Sequence, residues 1–315
     1  MQQESNRNSL KFHANGKLLL SGEYVVLYGA KALAVPLKYG QSMEINEHSG
    51  ADFTWKATHP KGDWFEALFT PQLKLLSTND KAKALKLKEI LSEAGKQAKN
   101  PVGFSGITVN THLQFAPEWG WGSSSTLISN ISRWMDVDPY KLLEKTFGGS
   151  GYDIACATNH SPLFYSVTNE NPKAETTIFS PPFADKFWVV YLNRKQSSAD
   201  AIRKHTQSGP INPSLIQRIS EITELMTSER SENNFIKLMK EHELLIGKFT
   251  GMEPVQSRIF HNFPGQVKSL GAWGGDFILA LSQTSPTETK KYFQTKGFHI
   301  LFNLSDIILD TNHAT

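Results

Sequence analysis

A strand-to-helix junction in the first half of the chain constrains the fold more than any other stretch. Residues 107–115 (ITVNTHLQF) alternate apolar and polar side chains, which is typical of a half-buried β-strand. Residues 127–135 carry apolar side chains at helical spacing, so we expect a helix that begins near Ser124 or Ser125. PEWGWGSSS, residues 117–125, lies between them. The order of strand, glycine–serine loop and helix predicts a loop that ends on a helix N-terminus.

This loop carries the groups that bind phosphate in proteins. A helix N-terminus exposes unpaired N–H groups and the positive end of the helix dipole, glycines allow close approach, and serine hydroxyls add donors or a magnesium ligand. The residues that supply these features are Gly120, Gly122, Ser123, Ser124 and Ser125. A serine N-cap on an ordinary helix explains the loop equally well, so the loop alone leaves both interpretations open. It matches neither the P-loop pattern nor the dinucleotide-binding pattern.

Composition limits the classes of protein that fit. A length of 315 residues suggests about two domains or lobes, and 39% hydrophobic with 20% charged residues is ordinary for a soluble globular protein. A net charge of +3 without basic clusters disfavours nucleic-acid binding. The polar start and the lack of an apolar run of ~20 residues predict no membrane association. The single cysteine, Cys156, fits a reducing compartment, and we expect a cytoplasmic protein.

The remaining elements predict an α+β fold, because strands and helices mix without strict alternation. We expect strands at 10–14 and 17–27 around a glycine-containing turn, and an apolar run at 30–37 that ends at Pro36. A helix is predicted at 81–99. In the second half we expect strands at 187–192, 277–281 and 299–304, paired helices near 213–227 and 231–249, and a short helix after Pro286. Asn, Pro and Thr cluster at 168–186, which places a boundary there and predicts domains of 1–175 and 176–315.

Three further segments carry candidate chemistry. NGKLLLSGEYVVL (15–27) holds Lys17 and Glu23, GGSGYDIACA (148–157) holds Asp153, and GAWGGD (271–276) is rich in glycine. A carboxylate after glycines can accept a proton from a hydroxyl, and a lysine can bind phosphate. Taken singly, each segment also has an ordinary explanation as a strand end, a helix N-cap or a tight turn.

Together and in this order, the four segments resemble the GHMP kinase superfamily, which includes galactokinase, homoserine kinase, mevalonate kinase and phosphomevalonate kinase. GSGYDIA and GKLLLSGEYVVL are most similar to the phosphomevalonate kinase branch. The sequence departs from the family pattern at three positions. Trp121 stands where leucine is usual, Ser125 where alanine or glycine is common, and Trp273 where glycine is usual.

The resemblance implies a two-lobed α+β GHMP kinase fold, with an N-terminal lobe like ribosomal protein S5 domain 2 and a C-terminal αβ sandwich lobe. It implies an ATP- and Mg²⁺-dependent kinase that phosphorylates phosphomevalonate or mevalonate. Asp153 would orient or deprotonate the acceptor, and Lys17 would offset charge on the transferring group. Nucleotide contacts would come from Gly120, Trp121, Gly122, Ser123, Ser124 and Ser125, with Ser124 also in reach of Mg²⁺. Acceptor contacts would come from Glu23, Ser150, Gly151, Ser197, Ser198, Gly274 and Gly275.

Several alternatives stay open from the sequence. Within the same fold, the acceptor could be homoserine or a sugar, and the chemistry could be that of a diphosphomevalonate decarboxylase. The altered phosphate loop also allows a catalytically silent, ligand-binding member of the fold. The expected partner is a small molecule with a hydroxyl or phosphate group rather than a nucleic acid or a membrane, and the expected state is a monomer or homodimer.

Overall fold

A computed structural model of the chain describes residues 9–100, 102–168, 171–193, 211–271, 273 and 275–309. Its contacts divide the chain into two compact units. The first unit comprises Met1–Gly16, Tyr39–Pro117 and Trp121–Thr158, and the second comprises Lys17–Lys38, Glu118–Gly120 and Asn159–Thr315. Each unit is therefore discontinuous in sequence and consists of three segments of the chain. The division into domains 1–175 and 176–315 stays a prediction.

The first unit is built on a sheet that runs in the order β5–β4–β3–β6–β2, with β1 also paired to β2. The strands are β1 (Leu10–Ser21), β2 (Ala32–Glu47), β3 (Phe53–His59), β4 (Gly62–Phe69), β5 (Leu75–Thr78) and β6 (Ile107–Leu113). β3 and β6 are parallel, whereas the other neighbours along this path are antiparallel. The register aligns Ile45, Val109 and Trp55 across three strands, and all three side chains are buried. Alternation along β6 thus produces the half-buried strand that the sequence predicts.

Helices cover the apolar face of this sheet. They are α1 (Lys81–Gln97), α2 (Ser123–Met135), α3 (Pro139–Thr146) and α4 (Tyr152–Thr158). Asp80 and Asp138 cap α1 and α3 by accepting main-chain N–H groups of the first turn. Ile128, Ile131 and Met135 of α2 join the buried cluster that also holds Trp55 and Val109. The core of this unit therefore fixes α2 through its apolar stripe.

The second unit contains a separate antiparallel sheet in the order β10–β11–β9–β12. Its strands are β9 (Phe187–Tyr191), β10 (Gly265–Ser269), β11 (Phe277–Ser282) and β12 (Leu301–Asn303). β7 (Leu163–Thr168) and β8 (Asn171–Thr176) form a hairpin, and β7 pairs with the first residues of β2. The helices are α5 (Pro213–Ser228), α6 (Glu232–Thr250), α7 (Val255–Arg258), α8 (Pro286–Thr295) and α9 (Leu304–Ile307), with short 3₁₀ helices at Val25–Tyr28 and Ala184–Lys186.

Most predicted elements form. The strand predicted at 17–27 ends at Ser21 and is followed by the 3₁₀ helix Val25–Tyr28, and two further differences have physical reasons. The turn predicted between residues 14 and 17 is wrong: β1 continues through Gly16, where a Cβ would lie 2.7 Å from the Tyr39 carbonyl oxygen. The strand predicted to end at Pro36 continues as β2. Pro36 lies between the β7 pairing at Ala32–Ala34 and the β6 pairing that begins at Gln41, so its missing N–H interrupts neither ladder.

The described part of the chain contains no helix that is both long and apolar enough to cross a membrane.

Candidate functional site

The N-terminus of α2 begins at a glycine with a left-handed backbone. Gly122 is the N-cap, with φ 97° and ψ 35°, and within the described part of the chain no side chain caps this end of the helix. The Thr126 N–H donates to the Gly122 carbonyl at 2.9 Å. Since the first N–H groups of any α-helix precede its first i→i−4 bond, those of Ser123, Ser124 and Ser125 have no acceptor within the helix. The helix therefore presents main-chain donors and the positive end of its dipole at this junction.

The three serines of the first turn differ in their surroundings. Ser125 is 1% exposed, and its hydroxyl donates to the Gly122 carbonyl at 2.9 Å. Ser123 and Ser124 are only half-buried, and both line a cavity in the first unit. The side chain of Ser125 thus helps to form the helix start, whereas Ser123 and Ser124 contribute to the wall of the cavity.

Two polar side chains anchor α2 to β2. Thr126 Oγ1 lies 3.2 Å from Gln41 Oε1, and Asn130 Nδ2 donates to the Gln41 carbonyl at 2.9 Å. These side chains are buried, so the hydrogen bonds are shielded from water. The direction of the α2 N-terminus is consequently set by the strand beneath it.

The cavity beside Ser123 and Ser124 has a volume of about 210 Å³. Its lining combines aromatic rings with two lysines of α1; these residues are Trp55, Trp64, Phe65, Phe147, Lys83 and Lys86. The buried indole nitrogen of Trp64 has no hydrogen-bond partner among the residues that the structure describes. Flat apolar walls fit a planar heterocycle, because such a ring stacks on aromatic side chains.

The two lysines bring positive charge to this cavity. Lys83 lies over the Trp64 ring at 5.3 Å and pairs with Asp80, while Lys86 lies over the Phe147 ring at 4.8 Å. The Lys86 ammonium also donates to the Thr146 carbonyl at 2.7 Å. Each ammonium group is also paired with a carboxylate, Lys83 with Asp80 and Lys86 with Glu89, so the α2 dipole is the feature that favours an anionic ligand. No local motif in the sequence marks these positions, because they meet only when α1 packs over β3 and β4.

Asp153 lies in the first turn of α4, and α4 packs on α2 within the first unit. The carboxylate is half-buried, and its Oδ1 accepts the Ile154 N–H at 3.1 Å. Burial, together with the nearby charges of Cys156 and Asp153, raises the pKa of Tyr140 to about 12. Ser150 and Gly151 directly precede this helix. The helices that begin with the loop serines and with the predicted base therefore pack against each other within the first unit.

Trp121 is a core residue of the first unit. Its side chain is 1% exposed, and its ring lies 5.7 Å from Tyr39 and 5.8 Å from Phe115. A nucleotide contact by this residue, as the resemblance implies, would have to come from its main chain. The tryptophan that stands in place of leucine thus packs in the interior of the first unit and does not line the cavity beside Ser123 and Ser124.

The other predicted residues fall in the second unit or outside the described residues. Lys17 is half-buried on β1, Gly120 lies against the Asp276 carboxylate, and Gly275 is buried in the β10–β11 connection. Ser197, Ser198 and Gly274 lie outside the residues that the structure describes. The roles of all of these residues stay predictions.

Glu23 occupies a buried charged cluster of the second unit. Its side chain is 1% exposed and forms an ion pair with Lys268 of β10, which is fully buried. The Lys268 ammonium also donates to the Ser269 carbonyl at 2.9 Å. The predicted acceptor contact by Glu23 is untested, and the structure gives this carboxylate a partner inside the protein. No pattern in the sequence around Lys268 (QVKSL, residues 266–270) marks this pair, because its partner lies 245 positions away.

Two residues of α6 complete the cluster. Burial raises the pKa of Glu243 to about 8, against the opposing charge of Lys268. Its Oε1 accepts the Ser269 N–H at 2.9 Å. Burial and Lys268 lower the pKa of His242 well below its usual value, and His242 Nε2 accepts the Gly22 N–H at 3.1 Å. Burial also raises the pKa of Glu23, against the opposing charge of Lys268. At neutral pH Glu243 is therefore protonated and His242 neutral, so neither adds a charge beside the Glu23–Lys268 pair.

The described side chains offer few ligands for a metal ion. Among the described residues, no group of three or more His, Cys, Asp or Glu could hold a metal ion. Magnesium keeps several waters and is usually bound through one or two protein groups plus substrate phosphates. A hydroxyl such as that of Ser124, at the N-terminus of α2, is compatible with that mode of binding.

Comparison with known structures identifies the fold. The chain is similar to the mevalonate kinase of Methanococcus jannaschii, with a TM-score of 0.69, 17% identity and coverage of 96% of this chain and 99% of that one. It is also similar to Streptococcus pneumoniae phosphomevalonate kinase in complex with phosphomevalonate and AMPPNP, with a TM-score of 0.67, 16% identity and coverage of 94% and 100%. A third similar structure is Lactococcus lactis galactokinase complexed with galactose, with a TM-score of 0.66, 11% identity and coverage of 94% and 92%.

These similarities confirm the predicted α+β GHMP kinase fold. No family model matches the sequence, and no curated protein matches it either. Identities of 11% to 17% establish the fold and leave the substrate open.

Replacing Trp121 by leucine should destabilise the protein by about 2 kcal/mol or more, because a fully buried indole leaves a cavity between Tyr39 and Phe115. Urea unfolding measures this loss. Trp134→Leu is the matched control, since Trp134 lies on α2 but is only partly buried. A loss for Trp121→Leu no larger than that of the control would contradict the core role.

Glu243→Gln should remove a pH dependence of stability between pH 7 and 8. The folded pKa is raised to about 8, so the folded state holds a proton that the unfolded state has lost, and the wild-type free energy of unfolding falls as pH rises. The wild type should lose up to about 1.4 kcal/mol per pH unit relative to the variant. Urea unfolding at several pH values measures the slope.

The control for that experiment is Glu241→Gln on the same helix. The Arg218 guanidinium lowers the pKa of Glu241, so its contribution to stability is lost only at acid pH and is constant between pH 7 and 8. Parallel curves for wild type and Glu243→Gln over this range would show that Glu243 is ionised at neutral pH.

Proposed function

We propose that this protein is an ATP-dependent kinase that transfers the γ-phosphoryl group to a small-molecule acceptor, with phosphomevalonate or mevalonate as the expected acceptor. The observation that carries the proposal is the uncapped, glycine-initiated N-terminus of α2 beside an aromatic cavity with two lysines. Similarity to kinase structures, one of them bound to AMPPNP and phosphomevalonate, supports the same reading.

The nucleotide would bind in the first unit. Its phosphates would accept N–H groups from Ser123, Ser124 and Ser125, and its base would stack in the cavity among Trp55 and Trp64. A volume of about 210 Å³ suits a nucleobase rather than a whole nucleotide, so the phosphates would lie outside the cavity, at the helix end. Magnesium, when bound, would offset charge on the phosphates, and the Ser124 hydroxyl is the group expected to reach it.

For phosphoryl transfer, the protein would mainly have to position the two substrates and stabilise the charge on the transferring group. The acceptor oxygen forms a bond to the γ-phosphorus as the bond to the ADP oxygen breaks, and the acceptor proton leaves to a base. Asp153 is the proposed base, and Lys17 the proposed cation that offsets developing charge. Ser150, Gly151 and the glycines of the β10–β11 connection remain proposed acceptor contacts. For Glu23, which is buried against Lys268, the proposed role is indirect. Cytoplasmic location and a monomeric or homodimeric state stay predictions.

Gly122→Val should weaken nucleotide binding at least roughly tenfold, because a β-branched residue cannot adopt the left-handed N-cap backbone without strain. Calorimetric titration with Mg-AMPPNP measures the affinity. Gly103→Val is the control, since a Cβ at Gly103 meets nothing within 4 Å and its φ is not in the left-handed region. Unchanged affinity in the Gly122 variant would argue against phosphate binding at α2.

Asp153→Asn should lower kcat by about 10²–10⁴ while nucleotide binding is retained, because a general base contributes a factor of this size. The assay follows ADP release with mevalonate, phosphomevalonate, homoserine and galactose, first in the wild type. Asp138→Asn is the control, because asparagine can still cap α3. Wild-type turnover in the Asp153 variant would refute its role, and no ADP release with any acceptor would refute the kinase assignment for this panel.

A further inference from the structure

A strained turn follows the strand that carries Lys17. Tyr24 has φ 64° and ψ −49°, and the Val25 N–H donates to the Glu23 carbonyl at 2.8 Å. This combination is a γ-turn with positive φ, a conformation that is rare and costly for a residue with a bulky side chain. Such strain persists only where the surrounding contacts hold it, and it is concentrated at functional sites.

Two consecutive residues of this turn bond to the β10–β11 hairpin. Glu23 pairs with Lys268 on β10. The Tyr24 hydroxyl accepts a hydrogen bond from the main-chain N–H of Trp273, in the connection between the strands, at 2.8 Å. The turn thus holds the hairpin at two points, one on the strand and one in the connection. Both bonds lie within the second unit.

Both bonds are shielded from water. Lys268 and Glu23 are at most 1% exposed, and the Trp273 ring is buried in an apolar cluster with Tyr24, Val25 and Ile246. Burial raises the pKa of Tyr24 to about 12, so its hydroxyl stays neutral at physiological pH. A shielded hydrogen bond is costly to break without a replacement partner, which makes the arrangement rigid.

The connection held in this way leads directly to Gly275 and Asp276, and the strand before the turn carries Lys17. We propose that the Glu23–Tyr24 turn is a positioning element for phosphoryl transfer, which fixes the β10–β11 connection relative to the Lys17 strand. Glu23 and Tyr24 act through the hairpin and need not touch the substrate. The inference rests on the proposed kinase function.

Tyr24→Phe removes the hydroxyl and keeps the ring in its apolar cluster. We expect hydrogen exchange of the β10–β11 connection to accelerate roughly tenfold and kcat to fall by a similar factor, with KM for ATP unchanged. Tyr28→Phe is the matched control. Tyr28 is the last residue of the 3₁₀ helix that Tyr24 precedes, and its hydroxyl makes no hydrogen bond to the residues that the structure describes. A purely structural role would reduce the folded fraction without changing kcat per folded molecule.

A second variant tests the other bond. Glu23→Gln alone leaves the Lys268 charge buried without a partner and is expected to fold poorly. The double variant Glu23→Gln/Lys268→Met removes the ion pair without leaving a charge, and it should fold with the same faster exchange and lower kcat. Rates of exchange and turnover equal to wild type in both Tyr24→Phe and the double variant would overturn the inference.

The two proposals fail in different ways. If wild-type protein transfers no phosphoryl group to any acceptor, the kinase function fails, and the exchange comparison still decides whether the turn holds the hairpin. If the wild type is active and neither variant changes exchange or kcat, the positioning role fails and the kinase function stands.

Discussion

The ammonium group of Lys268 is fully buried in the second unit, and this burial is tolerated because the Glu23 carboxylate lies beside it. An unpaired ammonium at this depth would cost several kcal/mol. The pair joins residues 245 positions apart in the chain, so it forms only when the strand of Lys17 and the β10–β11 hairpin are both in place. Protonated Glu243 and neutral His242 keep the remainder of the cluster uncharged. The pair therefore ties the turn that follows the strand of Lys17 to β10, the first strand of the hairpin.

Local patterns in the sequence predict the junction at α2 well. Apolar spacing locates the helix to within one or two residues of its observed start at Ser123, and the glycine before it accounts for the left-handed N-cap. Such features depend on neighbours along the chain, so they can be read without knowledge of the fold. The same holds for α1 and β6, whose periodicities match the observed elements closely.

Contacts between distant segments could not be predicted in this way. Nothing near Trp121 in the sequence shows that its ring packs on Tyr39 and Phe115, and the resemblance to kinases suggested a residue at the edge of the ligand instead. The aromatic cavity likewise combines strands, α1 and α2, which only the fold brings together. The backbone of Tyr24 could not be predicted from the sequence either. Its φ is positive, although a tyrosine ordinarily prefers negative φ, and the turn is held by bonds to residues far along the chain.

The central claim is that the α2 junction binds the phosphates of a nucleotide. A crystal structure of the protein with Mg²⁺ and AMPPNP tests this most directly. The account predicts phosphate density at the main-chain N–H groups of Ser123 to Ser125, with the base against Trp55 and Trp64. Nucleotide density elsewhere in the molecule, with the α2 N-terminus bound only to water, would contradict it.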